Sequence, residues 1–253
     1  MLLPASYADG FAPRDGQPLY PELWTGCVGA WNPGLGVTGL TLRDQSAFKN
    51  NGTLTGGPTF AASQGKYAMS FDGVDDYVVS ESNCNISGAS ARAISVWVNP
   101  RTLGDRAIVG WGSASSNNWF VLHIFQSKWY ISGFANDFDT GVSASANAWQ
   151  HAVVTYDSTT VTLWVNGTSI GSTAKTYATI AGPVYIGKRN LTSQFYVDGF
   201  IDDIRIYNRA LSAQEIRTLA SRRGIAYEMA PRRRSSAQVT TNRRRRIIIG
   251  GNR

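Results

Sequence analysis

Residues 151–167, HAVVTYDSTTVTLWVNG, contain the clearest hairpin pattern of the chain. The two halves of this stretch, His151–Asp157 and Val161–Val165, are rich in β-branched and apolar residues, which favours two antiparallel strands. Asp157–Thr160 supplies the turn between them. Asn166-Gly167 supplies a second tight turn, of type I′, because both of its positions need a positive φ. The stretch therefore predicts a β-hairpin that turns sharply again at its end.

Similar short runs occur on both sides of this hairpin. Residues 93–98 (AISVWV) alternate between two faces, as a half-buried strand does. Residues 119–125 (WFVLHIF) predict a mostly buried strand, with residues 128–131 as its returning partner. Further strands are expected at 184–187 and 200–207. Many short antiparallel strands at this spacing predict an all-β fold built as a two-sheet sandwich.

Composition supports a folded body and excludes several classes of protein. The chain has 253 residues, of which 43% are hydrophobic and 16% charged, enough to bury a large core. The low charge excludes coiled coils and acidic disordered chains. No run approaches the ~18 apolar residues of a membrane helix, and the first residues, MLLPA, show no Sec signal.

One helix is expected near the end of the body. Ser212 is its N-cap and Glu215 completes a capping box, while Leu211, Ile216 and Leu219 form the apolar stripe.

The charge divides the chain into parts. Residues 222–253 hold ten Arg and one Glu, a net charge of +9, whereas residues 1–221 have a net charge of −2. Prolines without periodicity mark residues 1–21 as an extended arm. We therefore predict an N-terminal arm (1–21), a β-sandwich body (22–221) and an arginine-rich tail (222–253).

The tail combines two arginine runs with an apolar end. A basic tail can bind nucleic acid or other polyanions without sequence preference. The isoleucine triplet favours a different interpretation, a strand added to a neighbouring subunit, because free it would be an aggregation-prone edge. The residues concerned are Arg232, Arg233, Arg234, Arg243, Arg244, Arg245, Arg246, Ile247, Ile248 and Ile249.

Several segments, in the right order, resemble a laminin-G-like domain over roughly residues 23–221. They are DQSAFKNNGTL (44–54), FDGVDDYV (71–78), WQHAVVTYD with VTLWVNG (149–157 and 161–167) and GFIDDIRIYNRALS (199–212). The resemblance implies a concanavalin A-like two-sheet antiparallel β-sandwich, a jelly roll, with one short C-terminal helix. Members of this family bind glycans or proteins, often with calcium. They recur in surface proteins, glycoside hydrolases and phage structural proteins.

The resemblance also implies a structural calcium site. Asp44 and Asn50 match the family's first acidic loop, and Asp202 and Asp203 its second. Oxygen ligands of this kind suit Ca²⁺. The alternative is that Asp44 caps its own turn and that one carboxylate of the aspartate pair binds Arg205 or Arg209.

A loop rich in aromatic and acidic residues is the candidate glycan site. Exposed aromatic rings beside amide and carboxylate groups suit a sugar ring, although most aromatics between residues 110 and 150 are expected in the core. The candidates are Phe134, Asn136, Asp137, Phe138 and Asp139.

No catalytic set is visible. The Glu-x-Asp-x-x-Glu pattern of glycosidases with this sandwich is absent, and His123 and His151 have no nucleophile partner that the sequence identifies. We therefore predict a protein that is not an enzyme. Cys27 and Cys84 leave one disulfide open, but two reduced core thiols are favoured.

Two functions remain. The first is a structural or adhesion protein, built by its arms into a homo-oligomer or a larger assembly such as a phage virion, as a capsid decoration, head-fibre or tail-associated protein. Its partners would be copies of itself or another virion or surface protein, with nucleic acid ranked below them. The alternative is a soluble or exported calcium-dependent carbohydrate-binding module whose tail binds polyanions.

Overall fold

The computed structural model describes residues 17–35, 37–190 and 195–230. Residues 1–16 of the predicted arm and all the arginine and isoleucine runs of the tail lie outside these ranges. The strands and the helix of the described part are β1 Cys27–Trp31, β2 Val37–Thr38, β3 Thr41–Leu42, β4 Gly52–Thr55, β5 Thr59–Ser63, β6 Lys66–Asp72, β7 Tyr77–Asn83, β8 Arg92–Pro100, β9 Arg106–Gly112, β10 Trp119–Phe125, β11 Lys128–Ser132, β12 Phe138–Ser143, β13 Gln150–Tyr156, β14 Thr160–Val165, β15 Thr168–Ala174, β16 Pro183–Ile186, β17 Asp198–Tyr207 and α1 Ala213–Ala220.

The strands form two antiparallel sheets, which confirms the predicted sandwich. The first sheet has the order β15-β14-β13-β8-β17-β6-β5, with β1 also paired to β17. The second has the order β12-β11-β10-β9-β16-β7-β4-β3-β2. The hairpin predicted from residues 151–167 is β13 and β14, with Tyr156 opposite Val161. The next turn, between β14 and β15, has φ of 50° at Asn166 and 79° at Gly167, as a type I′ turn requires.

The main core lies between the sheets because successive side chains of a strand point to opposite faces. From β8 the inner face presents Ile94, Val96 and Val98, and from β10 it presents Phe120 and Leu122, all fully buried. Each such side chain contributes roughly 1.5–3 kcal/mol when it leaves water. The opposite face of each sheet, turned away from this core, is called its outer face below.

A second, smaller core covers the outer face of the first sheet. Ala93 and Val153 alternate with the inner residues of β8 and β13 and pack under Ile216 and Leu219 of α1. The helix has the predicted capping box: the Ser212 side chain accepts the N–H of Glu215, and the Glu215 carboxylate accepts the N–H of Ser212. The helix therefore forms at its predicted position and covers the outer face of the first sheet.

The packed body extends beyond its predicted bounds, residues 22 and 221. Pro18 and Met229 form an antiparallel bridge, and the indole N–H of Trp24 donates to the carbonyl of Ala226 at 3.0 Å. Ile225 is buried in the second core. Residues 17–21 and 222–230 therefore pack on the sandwich, and the two described ends of the chain lie side by side.

A buried ion pair ties these end segments to β17. Asp203 has a φ of +44° inside the strand, where the pairing of β17 with β8 shifts register. Its carboxylate binds Arg205 at 3.0 Å and accepts the Gly224 N–H at 2.9 Å. The Arg205 guanidinium stacks between the rings of Trp24 and Tyr227, 4.5 and 4.4 Å from their centroids.

The thiols of Cys27 and Cys84 are both free and buried, which agrees with the prediction of two reduced core thiols. No helix in the described ranges combines the length and the apolar character that a membrane crossing needs.

Candidate functional site

A cavity of about 380 Å³ opens on the outer face of the second sheet. Its size falls in the ~300–1,000 Å³ range of ligand pockets. It lies where β10 begins and β11 ends, beside the loop that follows β11 and the segment that follows β16. We call it the Trp119 pocket; its lining consists of Trp119, Ser132, Phe134, Ala135, Asp137 and Arg189.

Strand alternation places Trp119 in this pocket. Its neighbour Phe120 points into the main core, so Trp119 points to the outer face, where it forms a small cluster with Ala107 and Val121. Only 2% of its surface is exposed, and the ring of Phe134 meets it edge-on at 5.1 Å. Its indole N–H is buried, with no hydrogen-bond partner among the described residues. Trp119 therefore contributes its ring, rather than an accessible donor, to the wall of the pocket.

The loop after β11 forms the opposite wall. Phe134 and Ala135 have φ of 55° and 60°, the left-handed conformation. Asp137 fixes this turn, since its Oδ1 accepts the N–H of Gly133 at 2.8 Å and the hydroxyl of Ser132 at 3.1 Å. The chain thus bends sharply enough to bring an aromatic ring and a carboxylate to one cavity.

Arg189 is the cation of the pocket. Its guanidinium lies 3.5 Å from the ring centroid of Phe195 and 4.9 Å from that of Trp119. Among the described residues it has no hydrogen-bond or ion-pair partner, and its Nε is buried. Burial lowers the pKa of Arg189, while the carboxylates of Asp105 and Asp137 act in the opposite direction. The side chain therefore holds a positive charge against two rings without a counter-ion in contact.

The predicted glycan residues separate into four places. Phe134 and Asp137 line the Trp119 pocket, but Asn136 lines a neighbouring cavity of about 540 Å³ and donates to the carbonyl of Thr176 at 2.8 Å. Phe138 packs against the main core. Asp139 lies on exposed β12, where it accepts the Gly141 N–H at 2.8 Å. The pocket thus unites two of the five.

Sequence reasoning missed Arg189 and assigned Trp119 to the core. Strand alternation around Phe120 was a usable signal for Trp119, because the two must face opposite ways. Arg189 gave no local signal, since it approaches the pocket only through the pairing of β16 with β9.

A larger cleft of about 530 Å³ lies near the paired ends of the body. Pro18, Trp24 and the loop carrying Phe48 line it, and Phe48 is 60% exposed. None of its lining side chains carries an unpartnered buried polar atom. The cleft therefore suits an apolar segment better than a small polar ligand.

The first pair of predicted calcium ligands is occupied by protein donors. The carboxylate of Asp44 accepts four hydrogen bonds: from the N–H groups of Ala30, Ser46 and Asn50, each at 2.8 Å, and from the Ser46 hydroxyl at 2.6 Å. The amide oxygen of Asn50 accepts the N–H and hydroxyl of Ser82 at 2.8 and 2.9 Å. These bonds use the lone-pair sites of both side chains, so Asp44 caps its own turn.

The second pair is engaged in ion pairs. Asp203 binds Arg205, one of the two arginines foreseen, and Asp202 lies 3.6 Å from Arg223. Burial, and then the charge of Asp203, raise the pKa of Asp202 to about 7. The four residues fit a calcium ion poorly, and calcium binding stays an untested prediction.

A separate acidic cluster lies at the β6–β7 turn. The carboxylate oxygens of Asp72, Asp75 and Asp76 lie within 4.8 Å of one another. Asp72 accepts the N–H groups of Val74 and Asp75, and Asp76 accepts that of Asp72. These hydrogen bonds show that Asp72 and Asp76 stabilise the turn.

The two histidines are buried. Burial lowers the pKa of both His123 and His151 to about 3, so both rings are neutral. His151 has a partner that the sequence did not reveal, because its Nε2 lies 2.9 Å from the hydroxyl of Ser95. Its Nδ1 has no partner within the described ranges, and His151 and Ser95 are each 1% exposed. The pair thus lacks the orienting acid and the access of a catalytic triad.

The fold is that of a lectin-like β-sandwich, and comparison with known proteins gives the family. The laminin G family model described as the concanavalin A-like lectin/glucanases superfamily matches residues 72–217. The match spans more than half of the chain, which belongs to this family. Comparison with the curated proteins gives no match.

Solved structures share the fold. The binding domain of Paraclostridial Mosquitocidal Protein 1 has a TM-score of 0.62 at 18% identity, over 78% of this chain and 52% of that one. Domain 4 of AbnA, a GH43 extracellular arabinanase from Geobacillus stearothermophilus in complex with arabinotriose, has a TM-score of 0.61 at 17% identity, over 82% and 100%. The binding domain of Botulinum neurotoxin DC in complex with SialylT has a TM-score of 0.59 at 13% identity, over 78% and 52%. The chain thus spans about half the length of the toxin domains, and at these identities the likeness shows the fold alone.

Proposed function

We propose that the protein is a non-enzymatic lectin-like module that binds a glycan in the Trp119 pocket. The observation that carries this proposal is that aromatic walls meet a guanidinium, that of Arg189, which has no hydrogen-bond or ion-pair partner among the described residues. A sugar ring offers an apolar face to Phe134 and oxygen acceptors to this guanidinium. Such a combination of apolar lining and few convergent polar groups is typical of small-ligand sites.

The solved relatives support a binding role. One is an arabinanase domain in complex with arabinotriose, and others are toxin binding domains, one with SialylT and one with rat synaptotagmin II. The match covers 52% of each toxin chain, and the polar chemistry of the Trp119 pocket favours a carbohydrate for this protein.

A glycan array followed by calorimetric titration tests the proposal. Phe134→Ala removes an aromatic wall of the pocket, and we expect it to weaken binding of the best array ligand roughly tenfold, since aromatic contacts of this kind are worth ~1 kcal/mol or more. Phe48→Ala is the matched control, an exposed phenylalanine outside the pocket. Melting curves check that both variants fold. Failure of every array glycan to bind, or equal loss in both variants, would refute the proposal.

We also propose that the terminal segments attach the body to a larger assembly, for which a phage virion is the setting that the sequence favours. The observation behind this is that Pro18 and Met229 pair, so both arms leave from one place beside the apolar cleft. In this proposal Ile247–Ile249 add a strand to a neighbouring copy and the arginine runs bind acidic groups there.

Light scattering after size exclusion tests the assembly proposal. The shortened chain must end at Ala230, because residues 222–230 belong to the packed body. We expect oligomers of the full chain and monomers of the shortened chain, and replacement of Ile247–Ile249 by serine should have the same effect as shortening. A monomeric full chain, or a serine variant that still assembles, would overturn the strand-addition proposal.

A further inference from the structure

We infer that the Trp119 pocket selects a glycan that carries a carboxylate, with Arg189 binding the carboxylate and Asp137 accepting a hydroxyl group of the same sugar. This inference rests on the proposed glycan-binding function and adds the chemical class of the ligand.

The first step is the state of Arg189. A guanidinium presents its donors in a planar fork that matches a carboxylate. Phe195 and Trp119 hold this fork against their rings, while no carboxylate, carbonyl or hydroxyl of the described residues lies within bonding distance of it. Most other arginines of the body differ: Arg101, Arg205 and Arg209 each bind an acidic side chain. The Arg189 guanidinium is therefore available to donate hydrogen bonds to an acceptor group of a ligand.

The second step is the shape of the ligand group. A carboxylate has two oxygens with about four lone-pair sites. Both oxygens can face the guanidinium fork of Arg189 in the pocket, whereas a neutral hydroxyl has no second oxygen to offer.

The third step is the opposite wall. Asp137 shares the pocket with Arg189 but is not in an ion pair with it. Its Oδ1 accepts two hydrogen bonds from the loop and its carboxylate also accepts a hydrogen bond from the Tyr130 hydroxyl, which leaves about one of its roughly four lone-pair sites for a sugar hydroxyl. Its negative charge also disfavours ligands with several anionic groups, which favours a singly charged sugar acid over a multiply phosphorylated one.

The experiment is calorimetry on the full chain with matched sugars. Galacturonic acid and galactose differ at one carbon, where the acid has a carboxylate and galactose a hydroxymethyl group. We expect galacturonic acid, N-acetylneuraminic acid or both to bind at least roughly tenfold more tightly than galactose, because bonds between ionised groups are about twice as strong as neutral ones. The preference should shrink as salt rises.

Two variants locate the effect. Arg189→Gln should reduce acid binding to the galactose level and leave galactose binding unchanged. Lys188→Gln removes an adjacent positive charge that stacks on Tyr77, outside the pocket, and should leave the preference intact.

The outcomes separate the inference from the proposed function. Equal binding of acid and neutral sugars, with Phe134→Ala weakening both, overturns the inference and leaves glycan binding standing. Absence of binding by all sugars of the array overturns both. Galactose 6-sulfate binding as tightly as the sugar acids overturns selection for a carboxylate. Binding of only one acid, with loss in Arg189→Gln, supports the inference and identifies the source as uronic or sialic acid.

Discussion

The Asp203–Arg205 pair should act as one unit, and a double-mutant cycle reveals this. The side chains are 2% and 0% exposed. Arg205→Met leaves a buried carboxylate whose remaining described partner is the Gly224 N–H, and Asp203→Asn leaves a buried cation. Removal of one partner from such a pair costs about 3–5 kcal/mol. Asparagine at position 203 retains the left-handed conformation that the strand requires there.

The double variant carries neither charge, so its loss should be far below the sum of the two single losses. Independent effects would amount to roughly 6–10 kcal/mol, which approaches or exceeds the ~5–15 kcal/mol of a whole domain. We expect the double variant instead to lose no more than either single variant, about 3–5 kcal/mol. Some of that loss comes from the rings of Trp24 and Tyr227, whose contacts with a cation are worth ~0.5–2 kcal/mol each.

Urea unfolding followed by tryptophan fluorescence and circular dichroism measures these free energies. Arg222→Met is the matched control, since Arg222 pairs with Glu228 on the same segment but is 57% exposed. This surface pair should contribute at most ~1 kcal/mol. If the two single losses add to that of the double variant within ~0.5 kcal/mol, the two charges are not coupled and the account of this pair is wrong.

Three further predictions concern the body. The pKa of Asp202 is about 7 in the folded protein, against an ordinary value of 3.8. Unfolding between about pH 4 and 7 therefore releases its proton, and stability falls as pH rises through that window. The Asp202→Asn variant should melt at the temperature of the parent near pH 4 and at a higher temperature at pH 8; a lower melting temperature at pH 8 would contradict this. Ser212→Ala should cost ~1 kcal/mol in chemical unfolding, because it removes the capping box of α1, and an unchanged midpoint would speak against that role. Burial raises the pKa of Cys27 to about 11 and that of Cys84 to about 12, so Ellman's reagent should modify both only after unfolding, and rapid reaction of the native protein would show an accessible thiol.

Local patterns predicted the elements of the fold well. The hairpin of β13 and β14, the Asn166-Gly167 turn and the Ser212 cap depend on residues close together in sequence, and each formed as expected. The bulge at Asp203 was not predictable in this way. Its left-handed conformation arises because β8, β1 and the 222–227 segment all bind the same strand.

The candidate site could be predicted only in part. Phe134 and Asp137 lie in one loop whose composition marked it. Strand alternation shows that Trp119 and Phe120 face opposite ways, but placing Trp119 in the site also requires knowing which face of β10 is the inner one. Placing Arg189 there requires the order of strands in the second sheet. Binding sites assembled across strands depend on pairing and register, which a single sequence does not display.

The two described end segments, residues 17–21 and 222–230, pack on the outer face of the first sheet, while the Trp119 pocket opens on the outer face of the second. Copies anchored through their ends would therefore all turn their pockets toward the solution. A weak single site then gains from avidity, because once one copy binds, its neighbours meet the same polymer at a local concentration in the millimolar range, and overall affinity can rise by roughly 10²–10⁴. Such an array would bind a repetitive polysaccharide tightly as a whole, while each single contact with a sugar would stay weak and reversible.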